Sequence, residues 1–219
     1  GGLYFGSKET GINDQGRRYV HEMLEYDEDQ IRQVLEVAFK LSSQRKKVLH
    51  NVHKSNVLKS SVLWNEILEE VRVDYPDVQV EHVLVDAAAT YLCLDPTRFD
   101  VMVMENMFGD ILSDEASQLT GSIGMLPSAS LDANGKGLYE PIHGSAPDIS
   151  GKNLANPLAT ILSVSMMLKY TFNEVEASQR VESAVKSVLS QGFRTPDIYQ
   201  AGSKRVGTQE MGDAVIEAM

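Results

Sequence analysis

The sequence predicts an α/β fold built around a largely parallel sheet, and three observations predict it. Short valine-rich runs at Val48 to Val52, Val78 to Leu84 and Asp100 to Met104 alternate with segments whose apolar residues recur at helical spacing. Breaker residues separate them, Tyr75-Pro76-Asp77 before one strand and Asp95-Pro96 before another. The composition, 42% hydrophobic and 23% charged over 219 residues, is that of a globular chain long enough for one large or two modest domains.

Taken in order, residues Ser7 to Asp27 are polar and punctuated by Gly11 and Gly16, with a weak alternation at Tyr19, His21 and Met23, which predicts an extended hairpin or arm. Asp27 followed by Gln30 predicts a helix cap, and Ile31, Val34, Leu35 and Ala38 then recur at helical spacing. Arg45, Lys46 and Lys47 close that helix with the charge its dipole favours. After the first strand, Trp64, Ile67, Leu68 and Val71 mark the buried face of a second helix. Val78, Val80 and Leu84 read as a strand ending at Asp86, a short helix carries Cys93, and Ile111, Leu112, Glu115, Ala116 and Leu119 lie on the helix after the third strand. The texture changes near Gly121, the candidate domain boundary. A loop-rich stretch to Asn156 follows, with turns expected at Pro127, Asn134-Gly135 and Pro147. Asn156-Pro157 predicts a helix start, two long helical patterns follow, one stopped by Gly192, and a short helix closes the chain near Thr208 to Met219. Trp64 and the Met166-Met167 pair read as core residues.

A formal net charge of −11 argues against a nucleic-acid-binding surface, which needs a basic patch. The single cysteine, Cys93, excludes an intrachain disulfide and fits a reducing, cytoplasmic setting. The apolar stretch Leu158 to Leu168 is too short to span a bilayer and reads as a buried helix.

Asp110 and Asp114 stand four apart on the same helix face, where two carboxylates repel unless a cation lies between them; a hard dication such as Mg2+ or Mn2+ suits them. The competing reading is acidic residues complementing a helix N-terminus. Their position after a strand favours a site, because ligands bind at the carboxyl ends of strands in open α/β sheets, and Asp86 offers a third oxygen ligand at another strand end. Lys54 follows a strand and opens a helix through Ser55 to Leu58, either as a base near carboxylates or as a solvated turn lysine. Tyr4, between Leu3 and Phe5, is a core aromatic by default. Leu138 to Ile149 forms a long loop of small residues that lets a ligand approach the backbone, and His143 in it is a hydrogen-bonded loop histidine or an adenine contact. No G-x-G-x-x-G, Walker loop, nucleophile elbow or zinc-type cluster is present, so a standard dinucleotide fold is excluded.

Four segments in this order resemble the isocitrate/isopropylmalate dehydrogenases: Gly-Gly-Leu-Tyr-Phe-Gly (Gly1 to Gly6), His-Lys-Ser-Asn-Val-Leu (His53 to Leu58), Asn-Met-Phe-Gly-Asp-Ile-Leu-Ser-Asp-Glu (Asn106 to Glu115) and Glu-Pro-Ile-His-Gly-Ser-Ala-Pro-Asp-Ile-Ser-Gly-Lys-Asn (Glu140 to Asn153). The resemblance covers essentially the whole chain, and Gly124 to Leu131 is most similar to the isopropylmalate branch. It implies a non-Rossmann α/β fold whose N-terminal portion is missing. Residues 1–120 would then be most of a central substrate and dimerisation domain with a dimer arm near residues 7–26, and residues 121–219 the C-terminal part of an interrupted cofactor domain.

The resemblance also implies roles. Asp110 and Asp114 match metal ligands of one subunit and Asp86 the ligand given by the partner. Lys54 and Tyr4 match the catalytic lysine and tyrosine, and Asn56 and Val57 substrate contacts. Glu140, His143, Gly144, Ser145, Ala146, Asp148, Ile149 and Asn156 match the cofactor site, and Asp148-Ile149, where NADP-dependent relatives carry Lys-Tyr, favours NAD. The implied activity is NAD- and Mg2+- or Mn2+-dependent oxidative decarboxylation of 3-isopropylmalate, in leucine biosynthesis, by a cytoplasmic homodimer with shared active sites. Homoisocitrate, isocitrate or tartrate as substrate, or a non-catalytic subunit, are the alternatives. His53 and Ala87 depart from the Asp and Asn usual in that branch, as does Thr90-Tyr91 from Met-Gln. The opening without methionine is expected to be a cut within a longer polypeptide. The substrate-gripping arginines would precede it, so the isolated chain is expected to lack normal activity.

Overall fold

In the computed structural model, which describes residues 1–132 and 134–219, the chain divides into two units, Gly1–Glu115 and Ala116–Met219. The division falls a few residues before Gly121, inside the helix that the sequence places there.

The first unit opens with an antiparallel hairpin, β1 (Lys8–Ile12) and β2 (Arg18–Glu22), exposed along most of its length, as the weak alternation predicts. Asn13 closes its turn by accepting the amides of Gln15 and Arg17, and Gly16 supplies the left-handed φ of 73°. Helix α1 (Glu28–Ser43) begins at the predicted box: the Asp27 carboxylate accepts the Gln30 amide at 2.8 Å. Its buried face is Ile31, Leu35, Ala38, Phe39 and Ser42, and Val34 instead faces solvent, one position off the stripe. The helix stops at Ser43, so Arg45, Lys46 and Lys47 lie beyond its last turn; Lys47 takes a φ of 61° and Arg45 grips Asp100 at 2.8 Å.

Strand β3 (Val48–His53) is central in a three-stranded parallel sheet, flanked by β4 (Gln79–Leu84) and β5 (Val101–Val103). Helices α1 and α2 (Lys59–Arg72) pack on each other, and Ile31, Leu35, Phe39, Leu49, Trp64, Leu68 and Val101 share one core, as the periodicity of both helices predicts. Helix α3 (Val85–Leu94) starts directly after β4. Asp86 therefore stands in a first helical turn, not at a strand end as expected, since the strand stops at Leu84, two residues sooner than the sequence reading has it. Helix α4 (Asn106–Ser117) follows β5, with Leu112 buried and Ile111 exposed; Leu119, expected on this helix, lies beyond its end in a 3-10 turn, exposed. Because all three strands run the same way, Lys54, Asp86 and the start of α4 leave the sheet at the same edge.

The second unit contains a hairpin that the loop-rich texture conceals. Strands β6 (Pro127–Leu131) and β7 (Gly137–Pro141) pair antiparallel, with Asp132 accepting the amides of Asn134 and Lys136. The turn at Asn134-Gly135 is where it was expected, but Pro127 opens a strand and does not turn the chain. The small residues of Pro-Ser-Ala-Ser-Leu carry no hydrophobic alternation, which is why the strand is silent in the sequence. Leu138 to Pro141 belongs to β7, so the loop proper starts at Ile142.

Helices α5 (Leu158–Tyr170), α6 (Val175–Ser190) and α7 (Thr208–Glu217) close around Leu158, Val185, Val188, Met211 and Val215. A short parallel pair, β8 (Phe193–Arg194) with β9 (Lys204–Arg205), completes the unit. In α5 the serines face inward: Ser163 donates to Ala159 O and Ser165 pairs with Ser178, while Val164 is exposed and Met166 and Met167 are half-buried. The helix is thus only partly the apolar core element expected. No helix among the described residues is long and apolar enough to cross a membrane.

Candidate active site

Tyr4 is not a core aromatic. It is 49% exposed, and its hydroxyl donates to Asp110 on α4. The segment carrying it is tied down by backbone. Gly2, at φ 82°, donates its N–H to Glu25 O at 2.7 Å, and Gly6 donates to Gly2 O at 3.1 Å. Gly6 also passes so close to Met23 that an added Cβ would lie 1.7 Å from its carbonyl oxygen, so only glycine fits. Lys8 donates to the carbonyls of Leu3 and Tyr4. The hydrogen bond to Asp110 pushes the Tyr4 phenol above its ordinary pKa, because losing the proton would set two anions side by side.

Asp110 and Asp114 lie on the second and third turns of α4, whose first turn holds no acidic residue, so the macrodipole reading fails. That duty falls to Glu105, a buried carboxylate that accepts the amides of Met107 and Phe108 at 3.1 Å each. The first-turn charge of α4 is thus not supplied by either aspartate.

Lys54 sits in a turn, not a helix: the amides of Val57 and Leu58 donate back to its carbonyl, and α2 starts only at Lys59. Its own amide donates to the buried Ser61 hydroxyl at 3.1 Å, and its ammonium donates to Asp86 at 2.8 Å. Lys54 is thus a turn lysine, as one of the two readings had it, but ion-paired with Asp86. The Lys54 hydrogen bond holds the Asp86 carboxyl below the usual carboxylate range. His53 is buried and accepts the Ser55 amide on Nδ1; burial pushes its pKa down. Asn56 and Val57 lie in the same turn, Val57 exposed. Among the described residues no three His, Cys, Asp or Glu side chains gather into a group able to hold a metal, so within one chain Asp86 does not join Asp110 and Asp114.

In the second unit, the loop after β7 lines an open cleft of about 350 Å³ with His143, Gly144, Ala146, Ile149, Leu154 and Asn156. Ser145 lines an adjoining cleft that shares this wall. Glu140, on β7, and Asp148, exposed on the loop, are not among the lining residues of either. Space around Gly144 is open: an added Cβ would meet nothing within 4 Å. Ala146 holds a φ of 41°, a strained conformation of the kind that persists where surrounding structure enforces it. His143 shares Nδ1 with Gly144 O at 2.8 Å, so it is both hydrogen-bonded to the loop and part of the cleft wall.

Asn156 is locked at both ends. Its Oδ1 accepts the Leu158 amide at 2.9 Å and its Nδ2 donates to Asp197 at 3.0 Å; the helix starts where expected, but Pro157 takes the cap position in place of Asn156 and Leu158 is the first helical residue. Burial pushes the Asp197 carboxyl up, but hydrogen bonds led by Ser122 and including Asn156 outweigh it and hold the group below the usual range.

The family model described as isocitrate/isopropylmalate dehydrogenase matches residues 1–215. The chain belongs to this family. It is 59% identical over its whole length to the 3-isopropylmalate dehydrogenase of Pseudomonas fluorescens and 58% identical to that of Azotobacter vinelandii. It spans 61% of the length of each of these relatives. Among solved structures it is similar to the isocitrate dehydrogenase of Methylococcus capsulatus, with a TM-score of 0.90 and 35% identity over 99% of this chain and 64% of that one. The family fold is thus the α/β, non-Rossmann arrangement expected from the motifs.

Several residues around the cleft carry no sequence signal. Leu154, Ala155 and Asp197 line it, and Asp197 is 41 residues from the asparagine it orients. Asn153, at φ 55°, anchors the loop to α7 by accepting the Gln209 amide on Oδ1 and the Thr208 amide on its carbonyl. Only the helix start at Thr208 hinted that something must serve those orphan amides.

Proposed function

We propose that the full-length protein oxidatively decarboxylates 3-isopropylmalate to 4-methyl-2-oxopentanoate, using NAD and Mg2+ or Mn2+, in leucine biosynthesis. One observation carries the reading: two proton-handling pairs, Tyr4 with Asp110 and Lys54 with Asp86, stand on elements that follow one edge of a parallel sheet or contact it. The identity to relatives named 3-isopropylmalate dehydrogenase supports the substrate.

The residues present fit both cofactors. Asp110 and Asp114 offer carboxylate oxygens on one helix face, and Asp86 of a second copy would complete the set, suited to a hard dication that would polarise the substrate's hydroxyl and carboxylate. The open, mostly apolar cleft beside Gly144 suits an adenine, and NAD bound there would accept the hydride. Asp148 would accept from free ribose hydroxyls and repel a 2′-phosphate.

This chain's side chains then move the protons. Lys54 Nζ takes the substrate hydroxyl proton, with Asp86 holding the ammonium. Tyr4 Oη, kept protonated by its hydrogen bond to Asp110, delivers a proton to carbon after CO₂ leaves. Val57, exposed in the Lys54 turn, is the apolar contact for the isopropyl group, beside Asn56. The β1–β2 arm clasps a second copy in a homodimer, residues 1–120 serving the substrate and residues 121–219 the cofactor.

Rates of the full-length protein on 3-isopropylmalate and on isocitrate, with Mn2+ and NAD, test the assignment. Preference for 3-isopropylmalate, abolished in Lys54→Met and Tyr4→Phe, is expected; preference for isocitrate overturns the substrate, and unchanged rates in both variants overturn the chemistry.

A further inference from the structure

Tyr26, which the proposed chemistry does not use, lies where three parts of the first unit meet. Its ring stands edge-on to Trp64 in the core, with centroids 5.8 Å apart. The backbone of the Tyr4 segment runs directly across it: a Cβ added to Gly2 would lie 2.5 Å from the Tyr26 hydroxyl, and one on Gly1 would lie 2.6 Å from a ring carbon. The neighbouring Glu25 carbonyl accepts the Gly2 amide. The Tyr26 hydroxyl donates to Glu105 at 3.1 Å and accepts the Asn106 amide at 2.9 Å, and Glu105 in turn holds the first-turn amides of Met107 and Phe108. One phenol thus touches the segment that carries Tyr4, the core, and the first turn of the helix that carries Asp110 and Asp114.

We infer that Tyr26 is a positioning residue: it sets the register between the Gly1–Gly6 segment and helix α4, and so sets the meeting of Tyr4 with Asp110. The inference rests on the reading of that pair as part of the site. The need for such a device is physical. Tyr4 is half-exposed and reaches Asp110 across 106 residues of sequence, so core packing does not hold its side chain. A hydrogen bond fails within a few tenths of an ångström of stretch, and a proton donor misplaced by about 1 Å loses much of its rate. Burial, the largest influence, pushes the Tyr26 phenol up to about 12, so it remains a neutral donor to Glu105 wherever the protein works.

Tyr26→Phe in the full-length protein tests this, since it keeps the ring and the Trp64 contact and removes only the hydroxyl. The readout is the ¹³Cζ NMR resonance of Tyr4, assigned with Tyr4→Phe, beside steady-state kinetics. The Tyr4 resonance is expected to move toward that of a solvated phenol, with kcat down roughly ten- to a hundredfold and KM for the hydroxy acid nearly unchanged. Glu105→Gln, which keeps the side chain's length but weakens the link, should move the same resonance in the same direction and covers the case in which Tyr26→Phe does not fold. A Tyr4 resonance unmoved in a folded variant overturns the inference, leaving Tyr26 merely structural. The NMR signal needs no turnover. A shifted resonance in a protein that turns over none of these hydroxy acids would therefore uphold the positioning role and refute the proposed function alone.

Discussion

Glu105→Ala should destabilise the first unit by about 3 kcal/mol, a large loss for one side chain. Glu105 is 6% exposed and accepts three hydrogen bonds at 3.1 Å, from the amides of Met107 and Phe108 and from the Tyr26 hydroxyl. Losing a helix cap costs about 1 kcal/mol, and losing the negative charge at the positive end of α4 adds about 0.5 kcal/mol. Leaving the Tyr26 hydroxyl without its acceptor beside Trp64 adds roughly 1–2 kcal/mol, because the group keeps its desolvation penalty. Urea unfolding reads this directly: with a slope of about 2 kcal/mol/M the midpoint falls by roughly 1.5 M while the slope stays constant. Glu28→Ala is the control, since its bond to Arg32 is an exposed helix-surface pair worth under about 0.5 kcal/mol. If Glu105→Ala costs no more than Glu28→Ala, then Glu105 does not hold the start of α4, and the account of how the helix is anchored is wrong.

Three further outcomes are expected. Because Lys54 depresses the folded-state pKa of Asp86, the pair contributes stability above the unfolded carboxylate pKa and loses it as pH falls through the lower folded value; carboxyl NMR should find Asp86 titrating below the ordinary range and returning upward in Lys54→Met, and an ordinary midpoint in the unsubstituted protein would refute the pairing. Asp110→Asn should weaken Mn2+ binding to the full-length protein by at least about tenfold in electron paramagnetic resonance titrations, and an unchanged affinity would remove this helix from the metal site. Gly6→Ala should cost roughly 1–3 kcal/mol, as its Cβ would fall 1.7 Å from Met23 O; an unchanged thermal midpoint would mean the Tyr4 segment is not held as described.

The elements legible in advance are those whose cause lies within a few residues. The Asp27–Gln30 box, the helix start after Asn156, the Trp64-Ile67-Leu68-Val71 face and the first hairpin are all readable because caps, turns and helical stripes depend on near neighbours. Where the cause was distant, local reasoning misjudged. Val34 fits the stripe of α1 by spacing, yet the partner helix and sheet take the face one position over. Strand β6 is a strand because β7 pairs with it, and nothing in its small residues says so. Tyr4 reads as core because its neighbours are apolar, and the Asp86 partner of the turn lysine Lys54 lies 32 residues away.

The motifs were enough to indicate the family and to single out Tyr4, Lys54, Asp86, Asp110 and Asp114 as candidates, since residue type and order along the chain carry that information. Their pairing was not available from order alone. Tyr4 meets Asp110 across 106 residues, through a segment tied back to Glu25, and Lys54 meets Asp86 across 32, where parallel strands bring remote segments out at one edge of a sheet. Proton affinities followed the same division: an isolated carboxyl, phenol or imidazole has an ordinary pKa, and only the partner delivered by folding, or the water removed by it, shifts that value.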